Sequence, residues 1–352
     1  MPDPDLIQLQ DALRRLKTEL ASTQRDNISA EQVREAIFGL SKHIAHPPPW
    51  VSYPRTSTSS ANVPVLHLSD LHFGEVVDPQ QINNINKYDI PIARARLRKV
   101  VERCIDRCTD FAGYTYSGIV LCLGGDMVSG DIHEELQETN EKPILPAVLD
   151  LFDIMVWVIN RLAEHFGNVF VTGVAGNHGR NHKKPKAKMR SYSNYDWLLY
   201  QMIEKHFMTV KDQRVSFSFP SGADSRFDVY SKRYLLSHGD NLGVKGGDGI
   251  IGALGPIIRG DTKTRGTYTQ LGMAYDTLII GHWHQFIPLP SIMVNGSLKG
   301  YDEYATLSRF KVEAPSQSLW FVNAKYGQSY AMRLYAEEPA HGAKTPWIKH
   351  VR

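Results

Sequence analysis

The chain has 352 residues, enough to bury a substantial core in one large domain with appendages. Its net charge of +3 excludes a globally basic protein, so any affinity for polyanions has to come from local clusters. Three cysteines, Cys104, Cys108 and Cys122, lack disulfide-framework spacing, the opening Met1–Asp5 is acidic and unlike a signal peptide, and no apolar run approaches membrane-spanning length. These features predict a reduced, cytoplasmic protein with no membrane partner.

In chain order, Leu6, Leu9, Leu13, Leu16 and Leu20 recur at spacings of three and four, a short heptad seam on a helix. A second helix is expected from Ser29, with Gln32 completing a capping box and Val33, Ile37, Leu40 and Ile44 on its apolar face. Pro47-Pro48-Pro49 stops it and stiffens a linker. The expected organisation is a helical extension over 1–46, a Pro-rich linker over 47–61, a catalytic domain over 62–336 and a tail over 337–352. The seam offers a homodimer interface, or it packs on the second helix or on the catalytic domain.

Short apolar runs then read as buried strands: Val63–Leu68, Gly118–Leu123, Val169–Val174, Arg233–Leu236 and Thr277–Ile280. Amphipathic helices over Ala93–Arg107 and Ile144–Phe166 link the first three, as βαβ alternation requires. Strands over Ser318–Lys325 and Ser329–Tyr335 close the domain. Asp131 with Glu134 reads as a helix cap.

Each of the five strands is followed by polar residues with metal-ligand chemistry: Asp70-Leu71-His72, Gly125-Asp126, Gly176-Asn177-His178, Ser237-His238-Gly239 and Gly281-His282-Trp283-His284. Any one is weak, because D-x-H or G-D pairs are common. Five in order, each just past the carboxyl end of a strand where open α/β sheets place their sites, form one constellation. Carboxylate, amide oxygen and imidazole suit two borderline or hard divalent ions. His67 reads instead as a strand residue packed against the sheet.

The series resembles the calcineurin-like metallophosphoesterase superfamily, whose pattern runs D-x-H, G-D, G-N-H-[D/E], H, G-H-x-H, and spans Val63 to Asn295 here. The resemblance implies an α/β fold, a four-layer α/β/β/α double β-sandwich with the metals at one edge. It implies one metal held by Asp70, His72, Asp126 and His284, and a second by Asp126, Asn177, His238 and His282, with Asp126 bridging. It gives His178 the role of a catalytic acid or transition-state stabiliser rather than a ligand. A water between two such cations loses its proton near neutral pH and becomes the nucleophile. With no cysteine at the site, Mn²⁺ is the expected pair of ions, and Mg²⁺, Fe²⁺ or Zn²⁺ also suit the donors. One departure stands out: Gly179 replaces the carboxylate that usually orients the imidazole. Either another acid such as Asp131 orients His178, or His178 works with weaker assistance.

The run Arg180–Arg190 carries six basic residues and no acid, then leads into Tyr192, Tyr195 and Trp197. A basic run is usually a solvated loop. This one starts behind the catalytic His178, so Arg180, Lys183, Lys184, Lys186 and Lys188 are candidates for a nucleic-acid backbone. The glycine-dense stretch Asp240–Pro256 matches no P-loop or dinucleotide fingerprint and reads as a loop with a short apolar helix or as a substrate-gating flap. The expected activity is a two-metal phosphodiesterase, a nuclease on DNA similar to the repair exonuclease branch of the superfamily. The alternatives are a phosphatase or phosphodiesterase for nucleotides or phosphoproteins, and a metal-free binding scaffold.

Overall fold

A computed structural model describes residues 62–111, 115–242 and 253–338. The N-terminal helices with their dimer seam, the linker, the tail beyond Glu338 and residues 243–252 of the glycine-rich loop lie outside the described residues. The rest is a mixed α/β domain with two sheets and, among the described residues, six helices.

The first sheet has the order β11-β10-β1-β2-β3-β4. It is built from β1 (Asn62–Leu68), β2 (Ile119–Leu123), β3 (Val169–Gly173), β4 (Val215–Ser218), β10 (Ser316–Asn323) and β11 (Gly327–Tyr335). β1 to β4 run parallel, and β10 closes on β1 antiparallel, with Val65 opposite Trp320. The second sheet, in the order β5-β6-β7-β9-β8, comprises β5 (Asp224–Val229), β6 (Lys232–Ser237), β7 (Thr277–Ile280), β8 (Ile287–Pro288) and β9 (Ile292–Val294). Its central strands β6, β7 and β9 are also parallel.

The two-residue period of a strand assigns the faces. Val63 and Val65, Val120 and Cys122, and Trp320 and Val322 share one apolar cluster with Phe227, Tyr234, Leu236, Ile279 and Met293 of the second sheet. The alternate residues Leu66, Leu68, Leu121, Leu123, Leu319 and Phe321 join the helices in a second cluster. Those helices are α1 (Ile90–Asp106), α3 (Ile144–Phe166) and α4 (Tyr195–Val210); α2 (Glu134–Thr139), α5 (Leu254–Gln270) and α6 (Glu303–Leu307) complete the set. α3 shows the cause most plainly. Ala147, Leu151, Ile154, Val158 and Leu162 recur on one stripe and are almost wholly buried, each of the larger side chains contributing about 1.5–3 kcal/mol according to its size.

α3 has the bounds that periodicity predicts. α1 starts three residues earlier than the apolar pattern, because Asp89 caps it by accepting from Ile92 N at 2.9 Å and Pro91 fits its first turn. β10 begins at Ser316 and ends at Asn323, two residues ahead of the expected bounds, because Ser316 and Gln317 pair with Tyr335 and Leu334 of β11 and the register against β1 ends at Asn62 opposite Asn323. The Asp131–Glu134 cap is not formed: His133 is the N-cap of α2 and makes no side-chain cap bond. Among the described residues, no helix is long and apolar enough to cross a membrane.

Candidate metal centre

All five ligand-bearing loops leave the carboxyl ends of parallel strands, β1, β2 and β3 from one sheet and β6 and β7 from the other. They are stitched together by main-chain bonds. Asp70 N donates to Gly125 O at 3.0 Å, His72 N to Asp126 O at 3.0 Å, and Gly281 N to His238 O at 2.9 Å. His282 N reaches across the two sheets to Asp70 Oδ1 at 2.9 Å. The approach is close: a Cβ on Gly176 would fall 2.1 Å from Asp126 Oδ1, so the glycine ahead of Asn177 is a packing requirement.

This arrangement gathers two groups of ligand atoms, each within 4.8 Å: Asp70, His72 and His284, and Asp126, His238 and His282. Asn177 joins the second, its Oδ1 lying 3.0 Å from His238 Nε2. Asp70, His72, Asp126 and His238 are buried, while Asn177, His282 and His284 line the mouth. Five of these residues hold a left-handed backbone: Asp70 (φ 53), His72 (φ 45), Asp126 (φ 50), His282 (φ 65) and His284 (φ 53). Each such conformation costs about 1–2 kcal/mol for an L residue, and its clustering on the ligands marks strain stored where side chains must be aimed inward.

The donor atoms suit cations. His238 donates Nδ1–H to Gly124 O at 2.8 Å, which leaves Nε2 to face Asp126 Oδ2 and Asn177 Oδ1, both at 3.0 Å. His72 Nε2 and His284 Nε2 point at each other across 3.1 Å, and Glu75 Oε2 stands 3.3 Å behind His72 Nδ1. The local field is negative. Burial opposes charge on His238, yet Asp126 beside it outweighs that and pushes the imidazole up to about 10. Burial also opposes charge on Asp70, and the hydrogen bond and charge of His284 overcome it to hold the carboxyl at about 2. His72 and His282 go the other way: burial, with Lys299 near the first and His238 near the second, lowers both to about 4, so they are neutral at pH 7, as metal ligation would require. Oxygen and imidazole groups converging in a negative, buried field fit divalent ions, which would replace the proton that the field favours on His238.

His178 lies beside this cluster, its ring 4.6 Å from that of His72. Its Nδ1–H donates to the main-chain oxygen of Ser129 at 2.9 Å, and its backbone N–H donates to Asp126 Oδ1 at 2.7 Å. A carbonyl therefore orients the imidazole, and Asp131 does not. Gly179 has a separate cause: a Cβ there would meet Asn194 Oδ1 at 2.4 Å and Asp196 Oδ1 at 2.9 Å, so no carboxylate fits at that position.

The basic run forms an irregular loop whose Lys183, Lys184, Lys186 and Lys188 are exposed. Lys183 pairs with Glu134. Arg180 turns inward, its guanidinium donating to the carbonyls of Asn177 (2.8 Å), His182 (3.0 Å) and Lys183 (2.9 Å), so it braces the loop against a candidate ligand. Arg190 ties the far end to Asp240, two residues past His238, at 2.7 Å.

Two supports escaped the sequence. Asp196, buried at the start of α4, accepts from the amides of Asp126 (2.9 Å), Met127 (3.1 Å) and Gly176 (2.9 Å), so one carboxylate fixes two ligand loops. Burial, reinforced by the Asp126 charge, raises it to about 7. Lys299, also buried, bonds Glu75 Oε1 at 2.8 Å and Asp302 Oδ2 at 2.5 Å, holding the carboxylate that stands behind His72. The sequence carries one signal for the first: Asn194, a helix N-cap residue, two positions before it. The second links residues 224 apart and has no local signal. A cleft of ≈ 390 Å³ opens onto His72, Asp126, Asn177, His178, His282 and His284. No protein-family model matches the chain, and no curated protein matches it.

Proposed function

We propose that the chain is a two-metal phosphoesterase of the calcineurin-like type, a four-layer α/β/β/α double β-sandwich whose substrate is nucleic acid, most simply DNA. The observation that carries this reading is the convergence of six carboxylate and imidazole side chains, in two groups of three, from the strand ends of both sheets, with Asn177 beside the second group and an open cleft over both. Asp70, His72, Asp126 and His284 would hold one divalent ion and Asp126, Asn177, His238 and His282 the other, Mn²⁺ fitting this thiol-free set. Two such ions would polarise a phosphoester and lower the pKa of a water for attack.

The chain's own residues supply the rest. Asp126 stands with His238 and His282 in one group and would have to reach the other to be shared, and Asp196 fixes its main chain from behind. Lys299 holds Glu75, whose Oε2 stands 3.3 Å from His72 Nδ1. His178, with Nδ1–H held by Ser129 O, presents Nε2 to the cleft, where it can give a proton to the leaving oxygen or bond a non-bridging one. The exposed Lys184, Lys186 and Lys188 offer charge to a phosphate backbone beside Asn177, which supports a polymer over a small nucleotide or a phosphoprotein.

The test is hydrolysis of bis(p-nitrophenyl) phosphate with Mn²⁺, together with a panel of single- and double-stranded DNA, RNA and cyclic nucleotides. The expected result is metal-dependent cleavage of the diester and of DNA, abolished by a chelator. Failure to cleave any ester with Mn²⁺, Mg²⁺, Fe²⁺ or Zn²⁺ would overturn the reading in favour of a binding scaffold.

A further inference from the structure

The cleft has a second wall of different character. Past β9, Ser297 Oγ and Leu298 N both donate to Asp70 O, at 3.0 and 3.1 Å, and the chain then runs through Lys299 to α6 and Phe310. Tyr304, Phe310 and Lys311 line the same cleft as Asn177 and His178. Tyr304 is 65% exposed and Phe310 51%, and their rings stand 5.8 Å apart at 77°. Two adjacent exposed rings that line the cleft form an apolar patch of the kind that marks ligand-binding grooves.

This wall is held in register with the ligands. Asp302 caps α6, its Oδ1 accepting from Ala305 N at 2.7 Å, while its Oδ2 takes Lys299 Nζ at 2.5 Å. Lys299 continues to Glu75, which stands behind His72. The helix that carries Tyr304 is thus joined by two ion pairs to the support of a candidate ligand. Of the acids near the rings, Glu313 is paired with Arg333 at 2.9 Å, and Asp302 and Glu75 share Lys299.

We infer that Tyr304 and Phe310 form a stacking subsite for an unpaired nucleobase next to the scissile phosphate, with Lys311 on a neighbouring phosphate. The substrate is then a single strand or a frayed end, since the bases of an intact duplex are already stacked and show only their edges. Aromatic faces accept every base, and each stack contributes about 1–3 kcal/mol. This inference rests on the nuclease reading of the site.

The test compares two phosphorothioate oligomers, which resist hydrolysis, on the 352-residue chain loaded with Mn²⁺. One is a fluorescein-labelled oligothymidylate of about 12 nucleotides, within the usual span of single-strand sites, and the other an abasic oligomer of the same length and charge. Fluorescence anisotropy should find the oligothymidylate bound roughly 10-fold or more tighter, as one good stack requires. Tyr304→Ala with Phe310→Ala should weaken it roughly 10–100-fold and leave the abasic oligomer within about twofold. Tyr304→Phe and Phe310→Trp should keep the preference, and thermal melting should show all variants folded. Equal loss for both oligomers, or a wild type that does not distinguish them, would overturn the subsite. So would a wild type that binds neither; hydrolysis of bis(p-nitrophenyl) phosphate then separates the two claims, persisting if only the subsite fails and vanishing if the metal centre fails too.

Discussion

Asp196 Oδ2 accepts the main-chain amide of Asp126 at 2.9 Å and that of Gly176 at the same distance, so a carboxylate outside the candidate ligand set fixes two of the candidate loops at once. Asp196→Ala leaves three buried amides without a partner, each costing about 1–3 kcal/mol. The expected outcome is a lower melting temperature with loss of metal, because Asp126 and Asn177 lose their registration. Asp196→Asn should be intermediate, since its amide nitrogen faces a donor. Calorimetric melting and metal analysis on the same samples check this; unchanged metal content in Asp196→Ala would show that the ligand loops hold themselves.

Gly179→Asp restores the carboxylate of the superfamily pattern, and the structure predicts that it harms the protein. Asn194 Oδ1 cannot move aside, because it accepts from Asp196 N at 2.8 Å while its Nδ2 donates to Gly176 O at 2.8 Å. Overpacking there should cost about 1–3 kcal/mol, with no gain in turnover. Higher turnover in this variant would show that His178 lacks a needed carboxylate and that the Ser129 carbonyl is a poor substitute.

His178→Ala should keep its metals and lose turnover by roughly two to four orders of magnitude, the usual range for a positioned acid. A nitrophenyl ester, whose leaving group needs little protonation, should suffer less. Metal loss in this variant would make His178 a ligand instead.

Replacing Lys183, Lys184, Lys186 and Lys188 by Gln should weaken DNA binding and flatten the dependence of log K on log salt by roughly 0.7–0.9 for each phosphate no longer neutralised. Lys183, already paired with Glu134, should matter least. Hydrolysis of a small nitrophenyl diester should hardly change. Equal damage to both substrates would mean that the loop supports His178 and Asn177 structurally rather than meeting a backbone.

What the sequence discloses follows from the range of each interaction. β7 lies where its four-residue apolar run predicts, because a strand buried on both faces is apolar at consecutive positions, and α3 where its stripe does, because a helix buried on one face writes its period into the sequence. The ligand segments are legible for a related reason: each is a short run of unusual chemistry fixed to a strand end. α4 and α5 are not, since Tyr195–Val210 spreads its apolar residues round the helix and Leu254–Gln270 is rich in glycine and threonine. The strands β8 and β9, of two and three residues, are too short to carry a period. The carbonyl of Ser129 cannot be read from any side chain, and the Glu75–Lys299 pair exists only after the sheets are assembled.

Sharing of Asp126 by two divalent ions is the central claim, and the most direct measurement is titration of the chelator-stripped chain with Mn²⁺ by isothermal calorimetry. Two sites per wild-type chain are expected. In a folded Asp126→Ala both sites should weaken by more than roughly 100-fold, beyond the ~10–100-fold effect of removing a supporting partner. A wild type that takes up no Mn²⁺, or an Asp126→Ala variant that still binds two ions with wild-type affinity, would contradict it.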